Sequence, residues 1–238
     1  MIPIRDSHVR IKTTPIFTVL LILGNIAVFV YQFLLGPHAE AFLFQYGAIP
    51  WEISHFQDLP GLSWTHQSPI PNFLTLFTSM FLHGGILHLL GNMLYLWIFG
   101  DNVEALTGHL KFPVFYLTCG LVAAMTHVVL APHSQIPMIG ASGAVSGILG
   151  AYFIRFPKAR VHMLVFFPFL LFHVFQMPAL VVLGLWFILQ VLNGLGSLGY
   201  PNAGGVAWFA HIGGFVAGMI LVYFFEKKGK KKAEARWI

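Results

Sequence analysis

A chain of 238 residues that is 57% hydrophobic and only 9% charged, with a mean hydropathy of +0.77, lies far from soluble domains, in which about a quarter of residues carry charge. Thirteen basic and eight acidic side chains cannot cover the water-facing surface of a 26.5 kDa globule, which excludes a soluble fold and implies an integral membrane protein. The net charge of +5 is not the footprint of a nucleic-acid binder, because the basic residues flank apolar runs instead of forming a stripe, so no nucleic-acid partner is expected.

The N-terminus, residues 1–14, is polar and basic. The apolar run after it, 16–35, is longer than the hydrophobic core of a signal peptide and is not followed by a small-x-small cleavage site. It is read as a retained helix. About 20 residues at 1.5 Å each cross a hydrocarbon layer roughly 30 Å thick, and five further runs approach that length: 76–99, 112–130, 142–156, 178–195 and 206–225. The fourth span is short and opens on Gly140-Ala141-Ser142-Gly143, as expected of a helix that begins below the membrane surface.

Cytoplasmic loops collect Lys and Arg, and all thirteen basic residues fall on one side of this parsing. The loops 36–75, 131–141 and 196–205 hold none. The sequence therefore predicts an all-α, six-helix membrane bundle, one polytopic domain over 1–238, with both termini cytoplasmic and a basic tail at 226–238. Residues 161–176 are apolar but short and contain Pro168, His162 and His173, so they are assigned to the cytoplasmic interface. The long aromatic loop 36–75 is expected at headgroup level, and the glycine-rich stretch 194–205 is a candidate mobile cap. The single cysteine, Cys119, leaves no intramolecular disulfide to form.

Polar side chains inside spans are costly and point to function. Counted from the nearest cytoplasmic charge, Ser142, His88 and His211 lie at a common depth, about 20–24 Å up three different spans. Asn92 sits one turn from His88 and shares its face. Small residues let helices approach closely in lipid, and they line the fourth span at Gly143, Ser146, Gly147 and Gly150 and the sixth at Ala207, Ala210, Gly214 and Gly218. The expectation is a Ser142 hydroxyl activated by the His211 imidazole, a dyad because no Asp or Glu lies at this depth. The free N–H groups at the start of the fourth span, with His88 and Asn92, form a candidate oxyanion site. His83 is read as bracing the long loop. His109, His127, His133, His162 and His173 are read as surface or interfacial, and no His-Glu-x-x-His motif offers zinc ligands.

These residues resemble the rhomboid family of intramembrane serine proteases, over the second to sixth spans. His83-Gly-Gly-Ile-Leu-His88-Leu-Leu-Gly-Asn92 looks like the family's His and Asn helix, and Glu104-Ala-Leu-Thr-Gly108 is similar to its Glu-x-x-x-Gly. Gly140-Ala-Ser142-Gly143 resembles the nucleophile motif, and Ala210-His211-Ile-Gly-Gly214-Phe-Val-Ala-Gly218 the histidine helix. The resemblance implies Ser142 as nucleophile, His211 as base and then acid, and the Ser142 amide with His88 and Asn92 as oxyanion hole, without metal or cofactor. It implies single-span membrane proteins as substrates, in a multi-pass protein of the bacterial inner-membrane type. Two positions depart from the family pattern: the Trp-Arg pair of some members would fall near Leu74 and Thr75, and Ser146 replaces an aromatic often found four residues after the nucleophile. Two other readings compete, a catalytically silent scaffold that grips membrane helices and a small transporter built on broken helices, although the chain has no inverted repeat or carboxylate relay.

Overall fold

Pro15 fixes the backbone just ahead of the first helix but offers no side-chain cap, so the first amides of that helix need an acceptor from elsewhere. Glu104 supplies it, accepting from Phe17 N (3.0 Å), Thr18 N (2.8 Å) and Thr18 Oγ1 (2.7 Å). That contact, across 86 residues of sequence, ties the start of the first helix to a distant part of the chain. The computed structural model describes residues 2–7, 13–167, 170–198 and 205–227.

In chain order the elements are β1 (Ile2–Ser7), α1 (Ile16–Leu34), α2 (Ala39–Tyr46), α3 (Pro50–His55), α4 (Thr75–Thr78), α5 (Ile86–Thr107), α6 (Lys111–Leu130), α7 (Ser142–Arg155), β2 (Arg160–Phe167), β3 (Leu170–Pro178), α8 (Ala179–Ser197) and α9 (Trp208–Phe225). The fold is mostly helical. Among the described residues four helices, α1, α6, α8 and α9, are long and apolar enough to cross a membrane, and a fifth span results if residues 72–81 and α5 count as one bent unit. Of the four, α9 is the most buried and α1 the least, so α9 is the central rod and α1 a peripheral one. Phe99, Phe112, Phe115, Tyr116, Tyr152 and Phe215 fill the core between them.

The expected second span, 76–99, is corrected. Residues 72–81 and α5 meet at 80°, broken at 82–85, and α5 continues to Thr107. The break is held by Gln32 of α1, whose amide donates to His83 O (2.6 Å) and accepts from His83 N (3.3 Å), replacing helical bonds in a dry setting. At the other end, charged Asp101 and Glu104 lie in the helix because each is partnered there: Asp101 accepts from Asn102, and Glu104 caps α1. The helix stops at Gly108, whose φ of +90° only glycine adopts readily.

The all-α expectation also needs correction. β1, β2 and β3 form an antiparallel sheet in that order, with Asp6 opposite Val161 and His162 opposite Gln176. The described part of 161–176 is thus strand, with β2 paired to the N-terminal β1 on one side and to β3 on the other. Val161 and Met163 set one face of β2 on the core, and Val165 and, on the opposite face, His162 are buried too.

The N-terminal strand, the α5–α6 turn, the end of α7 and the end of α9 all gather at one end of the bundle. Tyr152 donates to Asp6 (2.5 Å), Arg155 pairs with Glu226 (2.6 Å), and Lys227 N donates to Leu106 O (3.2 Å). The other end carries α2, α3 and the loop 131–141, joined by the Ala48–Met138 backbone pair. Residues 199–204 of the expected cap and 228–238 of the basic tail lie outside the described residues, while Gly194 to Ser197 belong to α8.

Candidate active site

Among the described residues α7 and α9 form the most extensive helix–helix packing, and their close approach has a backbone cause. A β-carbon at Gly214 would strike the carbonyl of Gly143, and one at Gly218 the carbonyl of Gly147. With hydrogen at those positions the two helices pack main chain to main chain. Ser142 at the head of α7 and His211 in the first turn of α9 are thereby brought to hydrogen-bond distance, Nε2 to Oγ 2.8 Å.

The other imidazole nitrogen is also engaged. His211 Nδ1 lies 2.8 Å from Oε1 of Gln190, a buried side chain of α8. An amide oxygen only accepts, so Nδ1 carries the proton and Nε2 presents its lone pair to the serine hydroxyl. Trp186, one turn before Gln190, lies tilted over the ring with centroids 5.9 Å apart, and Trp208 meets it edge-on at 6.3 Å. Ser146 turns inward and donates to the Ser142 carbonyl at 2.7 Å.

Around the serine, the chain reaches α7 through Gly140, whose φ of +114° a side chain would strain. A β-carbon there would lie 2.7 Å from His88 Nε2 and 3.4 Å from Asn92 Nδ2, so both polar tips rest against the backbone two residues before Ser142. Gly84 N points at His88 Nδ1 (3.4 Å), which leaves Nε2 as the nitrogen able to donate toward that backbone. Among the described residues Asn92 Nδ2 is buried without a hydrogen-bond partner. The first amides of α7 lack intrahelical acceptors as well. His88, Asn92, Ser142 and His211 line one partly open cavity of about 1010 Å³, which Trp186 and residues of the loop 136–139 also line.

The four side chains singled out in the sequence therefore converge. The remaining histidines divide. His83 is fully buried, clamped through its backbone by Gln32 and stacked edge-on against His88 at 5.2 Å. His109 is not simply at the surface, since its Nδ1 meets Glu104 at 2.6 Å. His127 lines the cavity and His162 is buried within β2, whereas His133 is exposed. Sequence reasoning missed Gln190 and Trp186. The available signal was an amide inside an apolar span, but with Asn193 three residues on, nothing in the spacing ties Gln190 to His211.

The model of the Rhomboid domain matches residues 71–228, two thirds of the chain. The chain belongs to the rhomboid family. Rhomboid relatives include RHOMBOID-like protein 4 of Arabidopsis thaliana, 34% identical over 146 residues, covering 61% of this chain and 32% of that protein. Rhomboid protein 1, mitochondrial, of Saccharomyces cerevisiae is 27% identical over 174 residues, covering 68% and 45%. Rhomboid protease GluP of Bacillus subtilis is 42% identical over 76 residues, covering 32% and 14%. This rhomboid chain thus spans less than half the length of these relatives. One relative is named as a protease, whereas another, from Drosophila melanogaster, 28% identical over 163 residues, is named Inactive rhomboid protein 1.

Proposed function

We propose that this chain is an intramembrane serine endopeptidase in which Ser142 is the nucleophile and His211 the general base and then acid. The observation that carries this reading is the 2.8 Å contact between His211 Nε2 and Ser142 Oγ, at the wall of a cavity wide enough to admit a peptide segment and water. As Oγ bonds to the scissile carbonyl carbon, its proton passes to Nε2. The carbonyl oxygen takes up negative charge beside the Ser142 N–H, the Asn92 amide and His88 Nε2. When the C–N bond breaks, the imidazolium returns the proton to the leaving amine. Water, deprotonated by the same nitrogen, then releases the acyl group from Ser142.

The substrates that fit are single-span membrane proteins. A transmembrane helix hides its carbonyls in internal hydrogen bonds, so segments weakened by Gly, Pro or polar residues are favoured for cleavage. The arrangement in the membrane is a single domain of six spans with α7 as the short one, both termini cytoplasmic, in an inner or plasma membrane of bacterial type. The common bundle end shared by β1, the α5–α6 turn and the end of α9 supports it, since the basic residues cluster there.

The relative named inactive favours a second reading, a scaffold that binds membrane helices without cutting them. A serine-directed fluorophosphonate separates the two. The protease reading expects Ser142-dependent labelling and cleavage of a tagged single-span protein, both lost in Ser142→Ala. A chain that neither labels nor cleaves is a scaffold or carrier.

A further inference from the structure

Two facts about α8 stand apart from the dyad. Gln190 is a buried amide in a helix that is otherwise almost wholly apolar, and nothing about membrane insertion favours it there. Its orientation is set by its own helix, because Nε2 donates to the Trp186 carbonyl one turn back (3.3 Å), which turns Oε1 to His211 Nδ1 (2.8 Å). Reversed, the amide would aim N–H groups at Nδ1, drive the ring proton to Nε2 and remove the acceptor that Ser142 needs.

We propose that Gln190 is a positioning residue for His211, holding the imidazole proton on Nδ1 so that Nε2 stays open to the serine hydroxyl. The proposal rests on the protease reading for its consequence and on geometry for its content. Trp186 completes the device, its ring tilted over the imidazole at 5.9 Å, where α7 offers only Ser146, turned back onto its own helix at 2.7 Å. The ring and the amide that steady the base thus both come from α8. The titratable side chains that share the field of His211 are His88 of α5 and His127 of α6, and neither bonds to Nδ1.

The test uses the full chain in lipid with 15N-labelled histidine, a tagged single-span substrate and a fluorophosphonate, comparing wild type with Gln190→Leu and Gln190→Glu. The wild type is expected to hold His211 as the Nδ1-protonated tautomer. Gln190→Leu is expected to give a tautomer mixture and to lower kcat about 10- to 100-fold with little change in KM, a part of the roughly 100- to 10,000-fold that a positioned base supplies. Gln190→Glu keeps an acceptor oxygen and is expected to restore both the tautomer and most of the turnover. A wild-type ring protonated on Nε2, or an unchanged tautomer in Gln190→Leu whatever happens to kcat, overturns the proposal. So does a Gln190→Glu chain that matches Gln190→Leu in both readouts. If the wild type neither cleaves nor labels, the protease reading fails while the tautomer measurement still decides the role of Gln190.

Discussion

Gly218 of α9 lies so close to the carbonyl of Gly147 in α7 that a β-carbon at 218 would occupy the space of that oxygen. Nothing flexible stands in between, so a methyl group there must push the two helices apart. Gly218→Ala is expected to destabilise the bundle by at least about 2 kcal/mol and to lower catalysis by widening the Ser142–His211 gap. Denaturant titration of the protein in detergent, beside fluorophosphonate labelling, checks both effects. Gly91, with open space around its would-be β-carbon, is the control, and Gly91→Ala should leave stability nearly unchanged.

This packing was legible in the sequence because membrane helices can meet closely only over small residues, and the spacing of Gly214 and Gly218 put them on the His211 face. The expected convergence of Ser142, His88, Asn92 and His211 followed from their depth, from the face that His88 and Asn92 share, and from the small residues of the fourth and sixth spans. The start of α5 did not, because the apolar run 76–99 reads straight through His83-Gly84-Gly85, while the break at 82–85 is held by Gln32, some fifty residues away. The sheet was hidden for a similar reason: β2 finds its partner β1 at the other end of the sequence, and no local pattern records that pairing. Gln190 was visible as a residue but not as a contact, since Asn92 shares a helix face with His88 whereas nothing in the spacing of Gln190 points to His211.

The oxyanion donors should separate from the dyad in kinetics. Asn92 Nδ2 is buried and unpartnered among the described residues, and His88 Nε2 rests against the same backbone at Gly140, so both are poised for charge that develops only during reaction. His88→Ala and Asn92→Ala are each expected to lower kcat about 10- to 1,000-fold with little effect on KM. His211→Ala should abolish cleavage while circular dichroism and thermal unfolding stay near wild type. Full activity in His211→Ala would show that another group takes the serine proton.

Glu104 is expected to matter for assembly and not for chemistry. Its carboxylate accepts two α1 amides and the Thr18 hydroxyl, and it also meets His109 Nδ1 at 2.6 Å. Glu104→Ala strands those donors in a dry site and should cost about 3 kcal/mol or more, since hydrogen bonds to charged groups contribute roughly 1.5–3 kcal/mol each. Glu104→Gln keeps one acceptor and should cost less. Unfolding measurements on the two variants, with hydrogen exchange at residues 16–19, report the expected order; equal stability of wild type and Glu104→Ala would sink the capping role.

Glu52 gives the loop between α3 and α4 a dependence on pH. Its side chain is buried, accepts from Leu59 N at 3.1 Å and lies near Asp58. Burial, with a smaller push from Asp58, raises the carboxyl above the usual glutamate value, although the Leu59 bond opposes the shift. A raised acid favours the folded loop in its protonated form, so that contribution is full at low pH and is lost as pH rises from about 4.3 through the folded value. Hydrogen exchange of residues 50–60 should therefore quicken between pH 4 and neutrality, after correction for intrinsic rates. Glu52→Gln keeps an oxygen for Leu59 and carries no charge. It should flatten that dependence and protect the loop at neutral pH, whereas a loop whose protection follows the same curve in both chains would clear Glu52 of any part in it.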